Sequence, residues 1–110
     1  MSVLFNGNAL ADFNYTARLT SAATTVAATQ DTFVSVISIT IEVGGAGSTV
    51  TITDGNGTPR VLVNALPTAA TGTAPIIYYF GYPGIKMQNG IKIITTATAP
   101  TLDVWIQGAQ

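Results

Sequence analysis

The sequence predicts an all-β chain folded as a single jelly-roll-like β-sandwich, and three observations predict it. Apolar and polar residues alternate with period two from Phe33 to Val43 and again from Leu102 to Gln107, which is the periodicity of a strand. Turn-forming residues, among them Asp54-Gly55-Asn56-Gly57, Pro83-Gly84 and Asn89-Gly90, punctuate the chain at short intervals. No segment carries a sustained apolar face at helical spacing. Seven to eight short antiparallel strands fit a sandwich or jelly roll. A chain of 110 residues suffices for one such domain and not for two.

Residues 1–32 read as an extended N-terminal arm with a possible first strand. Leu10, Phe13 and Ala17 fall near helical spacing, but Gly7, Asn14 and the β-branched threonines favour extended chain. Such an arm is a candidate tether, with Phe5, Phe13 and Tyr15 as its apolar contacts. The sandwich proper is expected over 33–110. Phe33, Ser35, Ile37, Ile39, Ile41 and Val43 share one parity, so Ile37 to Val43 should face the core. The Gly44 to Ser48 run turns the chain into a strand in which Val50 and Ile52 alternate with Thr49, Thr51 and Thr53. Asp54 to Gly57 then makes a tight turn into a strand from Arg60 to Leu66, and the three strands read as a meander.

A loop from Pro67 to Pro75 leads to Ile76–Phe80, five β-branched and aromatic residues that read as a buried strand. Gly81, Pro83 and Gly84 interrupt it before the short extended piece Ile85–Met87. Asn89-Gly90 is a hairpin signal into Ile91–Thr96. The last strand puts Leu102, Val104 and Ile106 on one face and Asp103, Trp105 and Gln107 on the other.

Composition excludes most chemistry. There is no histidine and no cysteine, so His-based triads, thiolate catalysis, disulfides and the usual zinc ligand sets are absent. The acids Asp12, Asp31, Glu42, Asp54 and Asp103 are scattered, and no two form a local pair. Asp54-Gly55-Asn56-Gly57 has oxygen donors at alternate positions but lacks the further acidic ligands of a calcium loop, and a turn explains it better. Phosphate-binding and dinucleotide fingerprints are missing. No catalytic, cofactor or metal site is expected, and the chain is not expected to be an enzyme.

Charge points the same way. Four Lys or Arg and five Asp or Glu make 8% of the chain, against roughly 25% in ordinary soluble domains. Four cations cannot supply the phosphate contacts of nucleic-acid binding. No run approaches the ~20 apolar residues of a membrane-spanning helix, and Met1 to Phe5 lacks the charged and apolar regions of a secretory signal, so synthesis in the cytoplasm is expected. Small uncharged residues cover the surface instead, with little repulsion between copies. The composition therefore suits a protein that lives in an assembly. Exposed aromatics would be its contacts: Tyr79, Tyr82 and Trp105 are candidates, since Tyr and Trp are enriched at interface hot spots. The same rings could instead stack on sugars.

From Phe33 to Gln107 the chain resembles small β-sandwich structural proteins of tailed bacteriophage virions. The resemblance lies in Val50-Thr51-Ile52-Thr53-Asp54-Gly55, in Val61-Leu62-Val63, in Phe80-Gly81-Tyr82-Pro83-Gly84-Ile85, in Asn89-Gly90-Ile91-Lys92-Ile93 and in Leu102-Asp103-Val104-Trp105-Ile106. It implies a head decoration or cement protein on the capsid surface, a homo-oligomer, typically a trimer, with the major capsid protein as partner. It carries over no catalytic residues. The alternative is a receptor- or carbohydrate-binding module of a fibre or baseplate.

Overall fold

The computed structural model describes residues 3–5, 8–43, 47–68, 75–96 and 101–110, with side chains from Leu10 onward. Residues 44–46 of the expected Gly-rich turn, 69–74 of the expected Pro67–Pro75 loop and the side chain of Phe5 lie outside the described residues.

The chain is all-β. The first two strands, β1 (Val3–Phe5) and β2 (Asn8–Leu10), pair with each other in a two-stranded sheet. Among the described residues nine more follow: β3 (Asp12–Leu19), β4 (Thr24–Ala28), β5 (Thr32–Val43), β6 (Thr49–Asp54), β7 (Val61–Pro67), β8 (Ile76–Tyr79), β9 (Ile85–Met87), β10 (Ile91–Thr95) and β11 (Thr101–Ala109). One sheet runs β3-β11-β5-β8, with β9 also on β5; the other runs β4-β10-β6-β7. All pairings are antiparallel. Strands β8 and β9 lie along the same edge of β5 and act as one broken strand. Counted so, eight strands in chain order form sheets 1-8-3-6 and 2-7-4-5, the arrangement of a jelly roll.

Period two makes the core. Ile37, Ile39, Leu102, Val104 and Ile106 of the first sheet are fully or almost fully buried against Val50, Ile52, Ile91 and Ile93 of the second. Each such side chain removed from water contributes about 1.5–3 kcal/mol before the entropy of ordering it.

Two bulges in β5 reset its faces. Val36 pairs with Gln107 and Val34 with Gly108, which leaves Ser35 as the extra residue. Both Val34 and Ile37 are therefore fully buried although they have opposite parity. Near the other end, Ile41 pairs with Leu102 and Val43 with Thr101, so Glu42 is extra and Val43 turns outward. The expectation that Val43 faces the core is corrected by this bulge. In β6, Thr53 is buried rather than outward and donates from Oγ1 to the Asp54 carbonyl at 3.0 Å.

Other sequence expectations shift with sheet assignment. Strands β5 and β6 belong to different sheets, so only β6 and β7 of the expected meander are paired. Asn89 and Gly90 do adopt positive φ, but their turn carries the chain from β9 in one sheet to β10 in the other and makes no hairpin. Within the segment expected as an arm, β3 and β4 are integral strands, one in each sheet. Strand β8 is an exposed edge and not a buried strand.

Candidate functional site

The outward face of the first sheet carries the side chains that can meet another molecule. Cross-strand register sets them in rows. Thr16, Trp105, Ser38 and Ile77 form one row across β3, β11, β5 and β8. Asn14, Gln107, Val36 and Tyr79 form the next, and Arg18, Asp103 and Thr40 a third on the other side of the Trp105 row. Alternation on β11 requires this placement: Leu102, Val104 and Ile106 point inward, so Asp103, Trp105 and Gln107 point out.

Trp105 is 51% exposed, with its Nε1 donating to Asn14 Oδ1 at 2.8 Å. Depressions of about 330 Å³ and about 180 Å³ lie on its two sides. The larger is walled by Arg18, Asp103, Thr16 and Thr40, and the smaller by Val36 and Gln107, with Ser38 common to both. A third depression of about 320 Å³, reached past Gln107, is lined by Asn14, Ser35 and Tyr82.

Arg18 anchors the polar end of this face. Its Nε donates to Asp103 Oδ1 at 3.0 Å and its Nη2 to Asp103 Oδ2 at 3.2 Å, a bidentate pair, while Glu42 Oε2 lies 2.6 Å from Nη2. The hydrogen-bonded Asp103 carboxylate, with Glu42 adding its charge, holds the Arg18 guanidinium pKa above its ordinary value. Glu42 reaches Arg18 from the bulge at the end of β5. The two acids thus meet in space around one cation, in an ion-pair arrangement that sequence separation concealed.

The six candidate contact residues divide. Trp105, Tyr79 and Tyr82 are exposed, Tyr79 by 74%. Phe13 and Tyr15 are half-buried and pack against the core from the inward face of β3, so they are not free contacts of an arm. Phe5 lies in β1, with its side chain outside the described residues. Tyr78 and Phe80, on the opposite parity from Tyr79, also pack against the core. Sequence reading did not single out Ile77, which is 62% exposed beside Tyr79. The parity of Tyr78 and Tyr79 held that signal.

At one end of the sandwich a second polar cluster ties three connections together. Asp54, almost fully buried, accepts from the backbone N–H groups of Asn56 at 3.2 Å and Arg60 at 3.0 Å and so closes the turn between β6 and β7. Asn56 Nδ2 donates to Gln88 Oε1 at 2.8 Å, Asn89 Nδ2 to Asn56 Oδ1 at 2.7 Å, and the Asn89 N–H to Asp31 Oδ1 at 2.9 Å. These side chains satisfy one another and hold the turns. Among the described residues, no three acidic groups gather as a metal site would need, and no helix is long and apolar enough to cross a membrane. No protein-family model matches the chain, and no curated protein matches it.

Proposed function

We propose that the protein is a structural virion subunit that decorates or cements a bacteriophage capsid as an oligomer, bound to the major capsid protein. The observation that carries the contact role is the edge strand β8. Edge strands are ordinarily guarded by charges, prolines or bulges against pairing with other chains. Among the described edges, β3 carries Asp12 and Arg18, β4 is bulged against β10, and β7 is bulged against β6 and ends on Pro67. Strand β8 is Ile-Ile-Tyr-Tyr, with Ile77 and Tyr79 exposed and no charge. Pairing along it is limited by its four-residue length and by the break at Gly81, Pro83 and Gly84, beyond which β9 carries Lys86 on the same edge. An uncharged apolar edge on a chain with so few charges costs little to bring against another copy.

The virion assignment draws on the sequence resemblance and on the jelly-roll architecture, which viral capsid domains share with lectins. The architecture is an analogy, since one fold hosts many functions. The reading gives the chain no catalytic step. Its work is burial of shared surface, and binding to the folded form stabilises both partners by mass action.

Light scattering coupled to size exclusion tests the oligomer. The protein is expected to elute at micromolar concentration as a stable multiple of 11.3 kDa, three copies if the resemblance holds. The double variant Ile77→Lys/Tyr79→Lys is expected to elute as a monomer with an unchanged melting temperature. A wild-type monomer, or an undiminished oligomer in the double variant, counts against the proposal.

A further inference from the structure

We infer that the groove along β11 binds a neutral, linear oligosaccharide, with Trp105 as its stacking platform. This goes beyond the assembly role and uses different residues from the β8 edge.

The indole is fixed before any ligand arrives. Its hydrogen bond to Asn14 Oδ1 reaches to the neighbouring strand at 2.8 Å, while half of the side chain stays open to solvent. A ring held in this way loses little freedom on binding, which is the main cost that preorganised sites avoid. Trp105 stands on a central strand of a sheet, a more rigid support than a loop.

The spacing fits a chain of rings. Side chains two residues apart on one face of a strand are separated by about 7 Å. Asp103, Trp105 and Gln107 therefore mark successive positions at a separation comparable to the size of a sugar ring with its substituents. The depressions of about 330 Å³ and about 180 Å³ on the two sides of Trp105 give room for a ring on each side.

The walls select the chemistry. A pyranose has a flat C–H face that packs on an aromatic ring and a rim of hydroxyls that need donors and acceptors. Trp105 supplies the first. The hydroxyls of Thr16, Ser38 and Thr40, the Arg18–Asp103 pair and the amide of Gln107 supply the second. The Arg18 charge is answered by both Asp103 and Glu42, so the groove holds no surplus cation for an anionic ligand. A nucleic acid could stack on the indole, but its phosphates would approach two carboxylates without an unpaired cation among the lining residues. A protein anchor is best held in a dry apolar pocket, whereas these walls are hydroxylic and charged.

The experiment titrates the protein with neutral hexasaccharides of glucose, in α- and β-linked series, and of N-acetylglucosamine. The chain has a single tryptophan, so its emission reports on the site directly. A saturable change in emission with at least one series is expected. Because Trp105→Ala removes the fluorophore, its affinity is read by calorimetry and is expected to fall about tenfold or more, the scale of losing an aromatic anchor. Asn14→Ala, which frees the indole and leaves the sheet intact, is expected to weaken binding by a smaller factor. Ile77→Lys/Tyr79→Lys is expected to bind sugar as the wild type does, even when it no longer oligomerises. No saturable response to any series overturns the inference, as does wild-type affinity in Trp105→Ala. If the emission responds to capsid protein alone, the groove is a protein-docking surface and the inference falls.

Discussion

Replacing Gly108 by alanine is expected to lower the melting temperature by roughly 10 °C or more, a loss of about 3 kcal/mol in a domain of this size. Gly108 lies on the central strand β11 where β5 bulges at Ser35. A Cβ at this position would run into the Phe33 carbonyl oxygen and stand 2.8 Å from its carbon. Both obstacles are backbone, so no side-chain rotation relieves them. The demand is for space, since Gly108 is not among the residues with positive φ. The bulge matters because it lets Thr32 and Val34 share the core with Ile37 and Ile39. Gly57→Ala is the matched control: nothing lies within 4 Å of its added Cβ, and a change within about 0.5 kcal/mol is expected. Thermal melts of the two variants check this. A Gly108→Ala protein melting within a degree or two of wild type would show that β5 and β11 do not approach as described.

Ile106→Ala is expected to cost about 2–5 kcal/mol, and Trp105→Ala, one residue away, only about 1 kcal/mol. Ile106 is fully buried between the sheets, and its truncation leaves a cavity that close-packed neighbours cannot fill. Trp105 is the larger side chain, yet half of it already faces water and one hydrogen bond ties it down. Urea denaturation of the two variants reads both values. Size alone would rank them the other way, so the order tests which face of β11 is inside. It also secures Trp105→Ala as a folded protein for the sugar titration.

Most of the sandwich could be read from local pattern. The long alternations of β5 and β11 marked strands because a half-buried strand must repeat every two residues, and they placed Trp105 opposite Leu102, Val104 and Ile106. The same signal was present in β3, where Phe13, Tyr15, Ala17 and Leu19 alternate with Asn14, Thr16 and Arg18. Its neighbouring Ala/Thr run has no apolar face strong enough to mark β4, which is a strand because β10 pairs with it. Bulges were not legible. Ser35 and Glu42 look like ordinary members of an alternation, and only the partner strand shows that each is an extra residue. Sheet membership was hidden for a related reason. Asn89-Gly90 specifies a tight turn with positive φ, but whether such a turn closes a hairpin or crosses between sheets depends on where β4 and β5 lie. The polar end of the groove joins Arg18, Glu42 and Asp103 across three strands. Long-range register brings them together, and no spacing in the sequence announces it.

Both proposals depend on the protein meeting something through its first sheet, the apolar edge at β8 for assembly and the groove at Trp105 for sugar. The first of these proposals, contact within a capsid, decides what the chain is for. The most direct measurement mixes the purified protein with shells assembled from the major capsid protein of the same genome and follows both through a density gradient. The protein is expected to travel with the shells at a saturating, fixed ratio and to raise their melting temperature, and Ile77→Lys/Tyr79→Lys is expected to weaken both effects. Wild-type protein that stays at the top of the gradient, with the shells melting as they do alone, would contradict the capsid role.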